Sequence, residues 1–90
     1  MGWVTQTQLT FTTMNLSFEI YRNSKKHLLE LAKDVKRTSD DKGYIDYSIN
    51  ENLDSICRQL NFYEMQGKIS KGQNRLFQTW LESLACKLQS

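Results

Sequence analysis

The sequence predicts an all-α fold, a three-helix antiparallel bundle, and three observations carry that prediction. Its 90 residues include no proline, and the four glycines fall at or beside segment ends, so nothing breaks a helix internally. Apolar residues recur at spacings of three and four in three separate stretches. Each stretch is preceded by a start signal, a Ser or Thr followed three residues later by Glu or Gln. The helices are expected at about residues 5–38, 49–66 and 71–89.

The first helix rests on Met14, Phe18, Tyr21, Lys25, Leu28, Ala32 and Val35, whose alternating spacing puts them on one helical face. Lys25 interrupts that face. Either its stem lies along the core edge with the ammonium in water, or it marks a break near Asn23-Ser24 that would make four helices. Upstream, Thr5-x-x-Gln8 matches a capping box and Val4 with Leu9 a hydrophobic staple, which extends the helix back to about Thr5. The alternation of Leu9 and Phe11 among threonines would also suit a short strand, but a lone strand has no partner here.

Thr38-Ser39-Asp40-Asp41-Lys42-Gly43 is a polar run closed by glycine and reads as a loop, with Tyr44-Ile45-Asp46-Tyr47 leading into the second helix. Ser48-x-x-Glu51 is the expected cap, and Ile49, Leu53, Ile56, Leu60 and Tyr63 form the apolar face. Gly67 fits the left-handed residue that ends this helix. So few residues then precede the third helix that the two must form an antiparallel hairpin. Ser70-x-x-Gln73 opens that helix, and Leu76, Phe77, Trp80, Leu81, Leu84, Ala85 and Leu88 give it the widest apolar face. It is therefore expected at the centre, touching both others.

The length fits one domain, residues 1–90, whose core buries about 60% of the surface of the unfolded chain, so help from a partner in burying surface is plausible. Mean hydropathy is -0.61. Cys57 and Cys86 form neither a C-x-x-C nor a zinc spacing and read as buried free thiols in a reducing compartment. The N-terminus lacks the features of a signal peptide, and no stretch approaches the roughly 20 apolar residues of a membrane span. A cytoplasmic protein without membrane contact is expected. Gln6 stands where a myristoylation signal needs Ser or Thr.

Catalysis needs a nucleophile with a base, a carboxylate pair or a metal, and the chain is poor in all three. His27 is its one histidine, beside the apolar stripe, and the cysteines, though followed by Arg58 and Lys87, lie in helical apolar patterns and read as buried and inert. Asp40, Asp41 and Asp46 lack the alternating donors and closing glutamate of a calcium loop, and the glycines form no phosphate cradle. The expectation is a non-enzymatic protein with no cofactor, no metal and no small-molecule substrate.

What remains is binding. Net charge is +2, but residues 22–42 carry seven Lys or Arg against four acids, and residues 66–90 four against one. Residues 44–65 reverse this, with one against four. Arg22, Lys26, Lys33, Lys36 and Arg37 fall within an arc of about 100° on the first helix, away from its apolar face. Glu19 and Glu30 lie at one margin and would form local ion pairs. Lys68, Lys71 and Arg75 cluster at the hairpin and the start of the third helix, where N–H groups attract phosphate and Gln73, Asn74 and Gln78 add neutral donors. Both groups are candidates for a nucleic-acid backbone, and equally ordinary solvated surface. Tyr44, Tyr47 and Trp3 are candidates for a protein interface, or Tyr44 and Tyr47 simply pack the loop onto the bundle.

With these stripes and clusters the chain resembles the small helical subunit of class 1 CRISPR surveillance (Cascade-type) complexes. That resemblance implies antiviral defence, a subunit stacked against other proteins or copies of itself, and basic residues that touch DNA or RNA backbone without reading sequence. By the same implication the acidic middle and exposed aromatics would face neighbouring subunits. Two other classes fit a small helical bundle: a stand-alone protein-binding module of the phage-inhibitor or bacteriocin-immunity type, and a helix-turn-helix regulator with its third helix in a major groove.

Overall fold

A computed structural model describes the backbone of residues 2–90 and the side chains of residues 16–90. Helices α1 (Gly2–Thr38), α2 (Lys42–Met65) and α3 (Lys71–Gln89) follow one another through two short connections. No strand occurs among the described residues, so the chain is an all-α three-helix bundle. At about 1.5 Å per residue the 37-residue α1 alone spans about 55 Å, and it sets the 58 Å long axis of the molecule. The side chains of the Thr5 capping box, the Val4 and Leu9 staple, Met14 and Trp3 lie outside the described residues; the backbone there is helical from Gly2.

Helix α1 runs unbroken through Asn23-Ser24, so the bundle has three helices and not four. Ser24 is buried, and its Oγ donates to the Ile20 carbonyl at 2.9 Å, which satisfies the hydroxyl without opening the helix. The inward face differs from the apolar pattern by one residue. Ser17, Ser24, Leu28, Ala32 and Val35 are buried, whereas Phe18 is 46% exposed and Lys25 is exposed. The small side chain at 17 lets the hairpin backbone come close, and its Oγ donates to the Lys68 carbonyl at 3.3 Å. The apolar period selects Phe18 and carries Lys25 as an interruption because it cannot value a buried serine with a hydrogen-bond partner.

The second helix starts seven residues before the expected 49. Asp41 is its N-cap: its Oδ1 accepts from Gly43 N at 2.9 Å and Tyr44 N at 3.3 Å. Ser48 therefore lies inside the helix, and Gly43 sits in the first turn instead of closing a loop. The structure selects Asp41, so that Ile45 packs against the core beside buried Ile49, Ile56 and Leu60. At the other end Gly67 has φ +77°, Gly67 N donates to the Glu64 carbonyl and Lys68 N to the Tyr63 carbonyl, a Schellman motif. Ser70 and Gln73 form the expected reciprocal capping box at the start of α3.

Helix α2, not α3, is the hub: it packs extensively on both neighbours, while α1 and α3 touch each other least. The core joins Leu28 and Ala32 of α1, Ile49, Ile56 and Leu60 of α2, and Phe77, Leu81 and Ala85 of α3. The wide apolar face of α3 is only partly used, for Leu76 and Trp80 remain 44% and 40% exposed.

Candidate nucleic-acid interface

Helical periodicity places Arg22, Lys26, Lys33 and Arg37 on the outer side of α1, while Lys36 lines a groove with Lys42, Ile45, Asp46 and Leu88; all five are exposed. The ion pairs expected from Glu19 and Glu30 are not formed among the described residues. Arg37 instead reaches Asp34 at 3.1 Å, and both side chains are well exposed, so this pair is weak and screened. Arg22, Lys26, Lys33 and Lys36 carry no ion pair among the described residues. Positions 22 to 36 cover about 21 Å of helix at 1.5 Å per residue, and a row of unneutralised cations of that length presents a concentrated positive field to an anionic strand.

The hairpin cluster is differently placed. Lys71 and Arg75 line a groove of about 300 Å³ between α2 and α3, together with Asn61, Glu64, Asn74, Gln78 and Glu82. Two carboxylates in the same groove offset the two cations. Two of the neutral donors expected for phosphate, Asn74 and Gln78, are engaged within the protein. Asn74 is 5% exposed, and its Nδ2 donates to Asn61 Oδ1 and to Glu64 Oε1, both at 2.8 Å. Gln78 Nε2 donates to Asn61 Oδ1 at 2.9 Å and Asn74 Oδ1 at 2.8 Å, while Gln73 Oε1 turns back to accept from Ser70 N. This amide ladder fastens α3 to α2. Lys68 extends its ammonium over the Tyr63 ring, 5.3 Å from the centroid, on the turn itself. The α1 stripe and the hairpin cluster are thus two separate surfaces, with the groove on the α2 side of α3.

The ladder is not legible in the sequence because its members look like ordinary surface amides. Its only signal is that Asn61 and Glu64 on one arm, and Asn74 and Gln78 on the other, share faces that meet once the hairpin register is fixed.

Tyr44 and Tyr47, the candidates for a protein interface, are 55% and 61% exposed, so they do not pack the loop against the bundle. They share the outer face of α2 with Phe62 and Met65, which are 54% and 83% exposed at its far end. Between them lie Glu51, Asp54 and Arg58, the last two paired at 2.8 Å. The Tyr47 hydroxyl donates to Glu51 Oε1 at 2.8 Å; that hydrogen bond, then the carboxylate charge, then slight desolvation hold its pKa above the ordinary value. Trp3, the third candidate, lies outside the described residues.

Both cysteines are free, as expected, but not both are buried: Cys57 is half-buried and Cys86 exposed, because Cys86 falls on the outward face of α3. Burial pushes the Cys57 thiol up from its usual pKa, and the charges of Glu82 and Asp54 add to the effect, the opposite of what an activated nucleophile requires. His27 is exposed at the margin of a small groove lined by Asn23, Ser24, Gln59 and Tyr63. Among the described residues no cluster of His, Cys, Asp or Glu could hold a metal ion, and no helix is long and apolar enough to cross a membrane. No family model, curated protein or solved structure matches the chain.

Proposed function

We propose that this protein is a non-catalytic helical subunit that holds nucleic acid by its phosphate backbone, without reading sequence, as part of a larger nucleoprotein assembly. The observation that supports this most is the row Arg22, Lys26 and Lys33 on the outer face of a continuous helix, with Lys36 at its flank: all exposed, with no ion pair among the described residues. Each phosphate neutralised by such a cation releases counterions, so binding is expected to be strongly salt-dependent and tolerant of sequence. The Lys68, Lys71 and Arg75 cluster plays a lesser part, because Glu64 and Glu82 share its groove and its amides are already bonded. In its most specific form the proposal is a small subunit of a CRISPR surveillance complex in the cytoplasm.

The test is to recover the tagged chain from its host and examine what accompanies it. Nucleic acid released by raised salt, with a defined set of protein subunits, is the expected result. Lys33→Glu should then weaken nucleic-acid retention several-fold more than Lys71→Glu. Recovery of one protein partner and no nucleic acid would sink the proposal.

That outcome would favour a second reading, a protein-binding module of the inhibitor or immunity type. The outer face of α2 supports it: Tyr44 and Tyr47 at one end and Phe62 and Met65 at the other flank a charged centre, a pattern suited to a protein contact.

A further inference from the structure

The aromatic side chains between α1 and α3 form one cluster around Phe77, which is 2% exposed. Tyr21 stacks on Phe77 with ring centroids 5.1 Å apart, and Phe18 and Trp80 lean on it at 6.5 and 6.0 Å. Trp80 also meets Tyr21 edge-on at 5.2 Å. The two outer rings stand at the margin of the α1–α3 seam, Phe18 46% and Trp80 40% exposed, because α1 and α3 pack on α2 more than on each other. Aromatic surface left open yet held from behind loses little freedom when a ligand lands on it.

The polar surroundings of these rings have one sign. Arg22 lies one turn beyond Phe18 on the same side of α1, Lys25 two turns beyond, and Lys87 two turns beyond Trp80 on α3. Glu82, the one acid of α3, faces the opposite groove with Asn61 and Glu64, and Glu19 is about 100° round the helix from Phe18. Exposed Leu76, one turn before Trp80, and Leu29, along α1 from Phe18, extend the apolar surface, but the charged groups beside the rings are all cationic. Flat rings with a cationic rim fit the flat, anionic units of a nucleic-acid strand.

We propose that the α1–α3 seam is a site for single-stranded nucleic acid, in which unpaired bases stack on Trp80 and Phe18 while Arg22, Lys25 and Lys87 take the phosphates. This rests on the nucleic-acid reading above and adds a preference for unpaired strands, since the base faces within a duplex are already covered by their neighbours.

The test measures anisotropy of a labelled twelve-residue oligothymidylate, of a duplex of equal length and of inorganic polyphosphate as competitor, at one fixed salt. The protein should hold the single strand about tenfold tighter than the duplex, and in a Trp3→Phe chain the remaining Trp80 emission should be quenched on binding. Phe18→Leu with Trp80→Leu, which keeps the seam apolar, should lose about fivefold or more in single-strand affinity and leave duplex and polyphosphate binding unchanged. If that pair fails to fold by circular dichroism, the quenching in the Trp3→Phe chain decides alone. Equal binding of single strand and duplex with unquenched Trp80 overturns the stacking site and spares the backbone reading. Binding of none of the three probes overturns both. Self-association in sedimentation that the leucine pair abolishes makes the seam a contact between copies and also overturns it.

Discussion

Replacing Asn74 should cost more than its appearance in the sequence suggests. The side chain is 5% exposed; it donates to Asn61 and Glu64 and accepts from Gln78, so each of its polar atoms is satisfied. A net hydrogen bond contributes about 1 kcal/mol and one to a charged group about 1.5–3, so the three together bound the loss in Asn74→Ala at about 5 kcal/mol. The groove is open enough for water to reach Asn61, Glu64 and Gln78 after truncation, which brings the expected cost down to about 2 kcal/mol. For a chain of this length that lowers the melting temperature by roughly 8–16 °C, readable by circular dichroism.

Asn74→Asp separates the ladder from simple volume. At pH 7 it sets a carboxylate against Glu64 and against the Asn61 oxygen that Asn74 now bonds, so it should be less stable than Asn74→Ala. Burial beside a like charge raises the folded-state pKa of the introduced carboxyl above its unfolded value of about 3.9. Its penalty therefore shrinks as pH falls through the folded-state pKa, because the protonated form donates again. The reasoning fails if Asn74→Ala melts within about 3 °C of the natural chain, or if Asn74→Asp is no worse than Asn74→Ala at neutral pH.

Three further outcomes are expected. Asp41→Ala should cost about 1 kcal/mol in urea denaturation whereas Ser48→Ala costs only a few tenths, since Asp41 caps α2; the reverse order would restore Ser48 as the cap. Gly67→Ala should destabilise by about 1 kcal/mol through the positive φ alone, because a Cβ there meets nothing within 4 Å; an unchanged denaturation midpoint would contradict this. Under iodoacetamide at pH 8, Cys86 should be modified well before Cys57, whose thiol is raised by burial and by Glu82 and Asp54; equal rates in mass spectrometry would refute the assignment.

The sequence by itself determined the fold class, the three amphipathic stretches, the hairpin turn and its two caps, because these depend on local chemistry; that the first stretch is one helix and not two was decided by the structure. A helix's apolar period, the left-handed backbone at Gly67 and the reciprocal bonds of Ser70 and Gln73 involve residues within a turn or so of each other. It also placed the basic row on one side of the first helix, which is a matter of period alone. Elsewhere tertiary packing went against the local pattern. Asp41 prevailed over Ser48 as helix cap, and serines at 17 and 24 turned inward while Phe18 turned out.

The character of each surface was decided only in three dimensions. Lys71 and Arg75 are basic in sequence, yet the hairpin register brings Glu64 and Glu82 into their groove and turns Asn74 and Gln78 into an internal ladder. Phe18 and Trp80 lie 62 positions apart, and neither announces a shared site until Phe77 supports both rings. Charge pattern along one helix is a local quantity. Which charges are neutralised, and which aromatic faces stay open, depends on what another helix sets beside them.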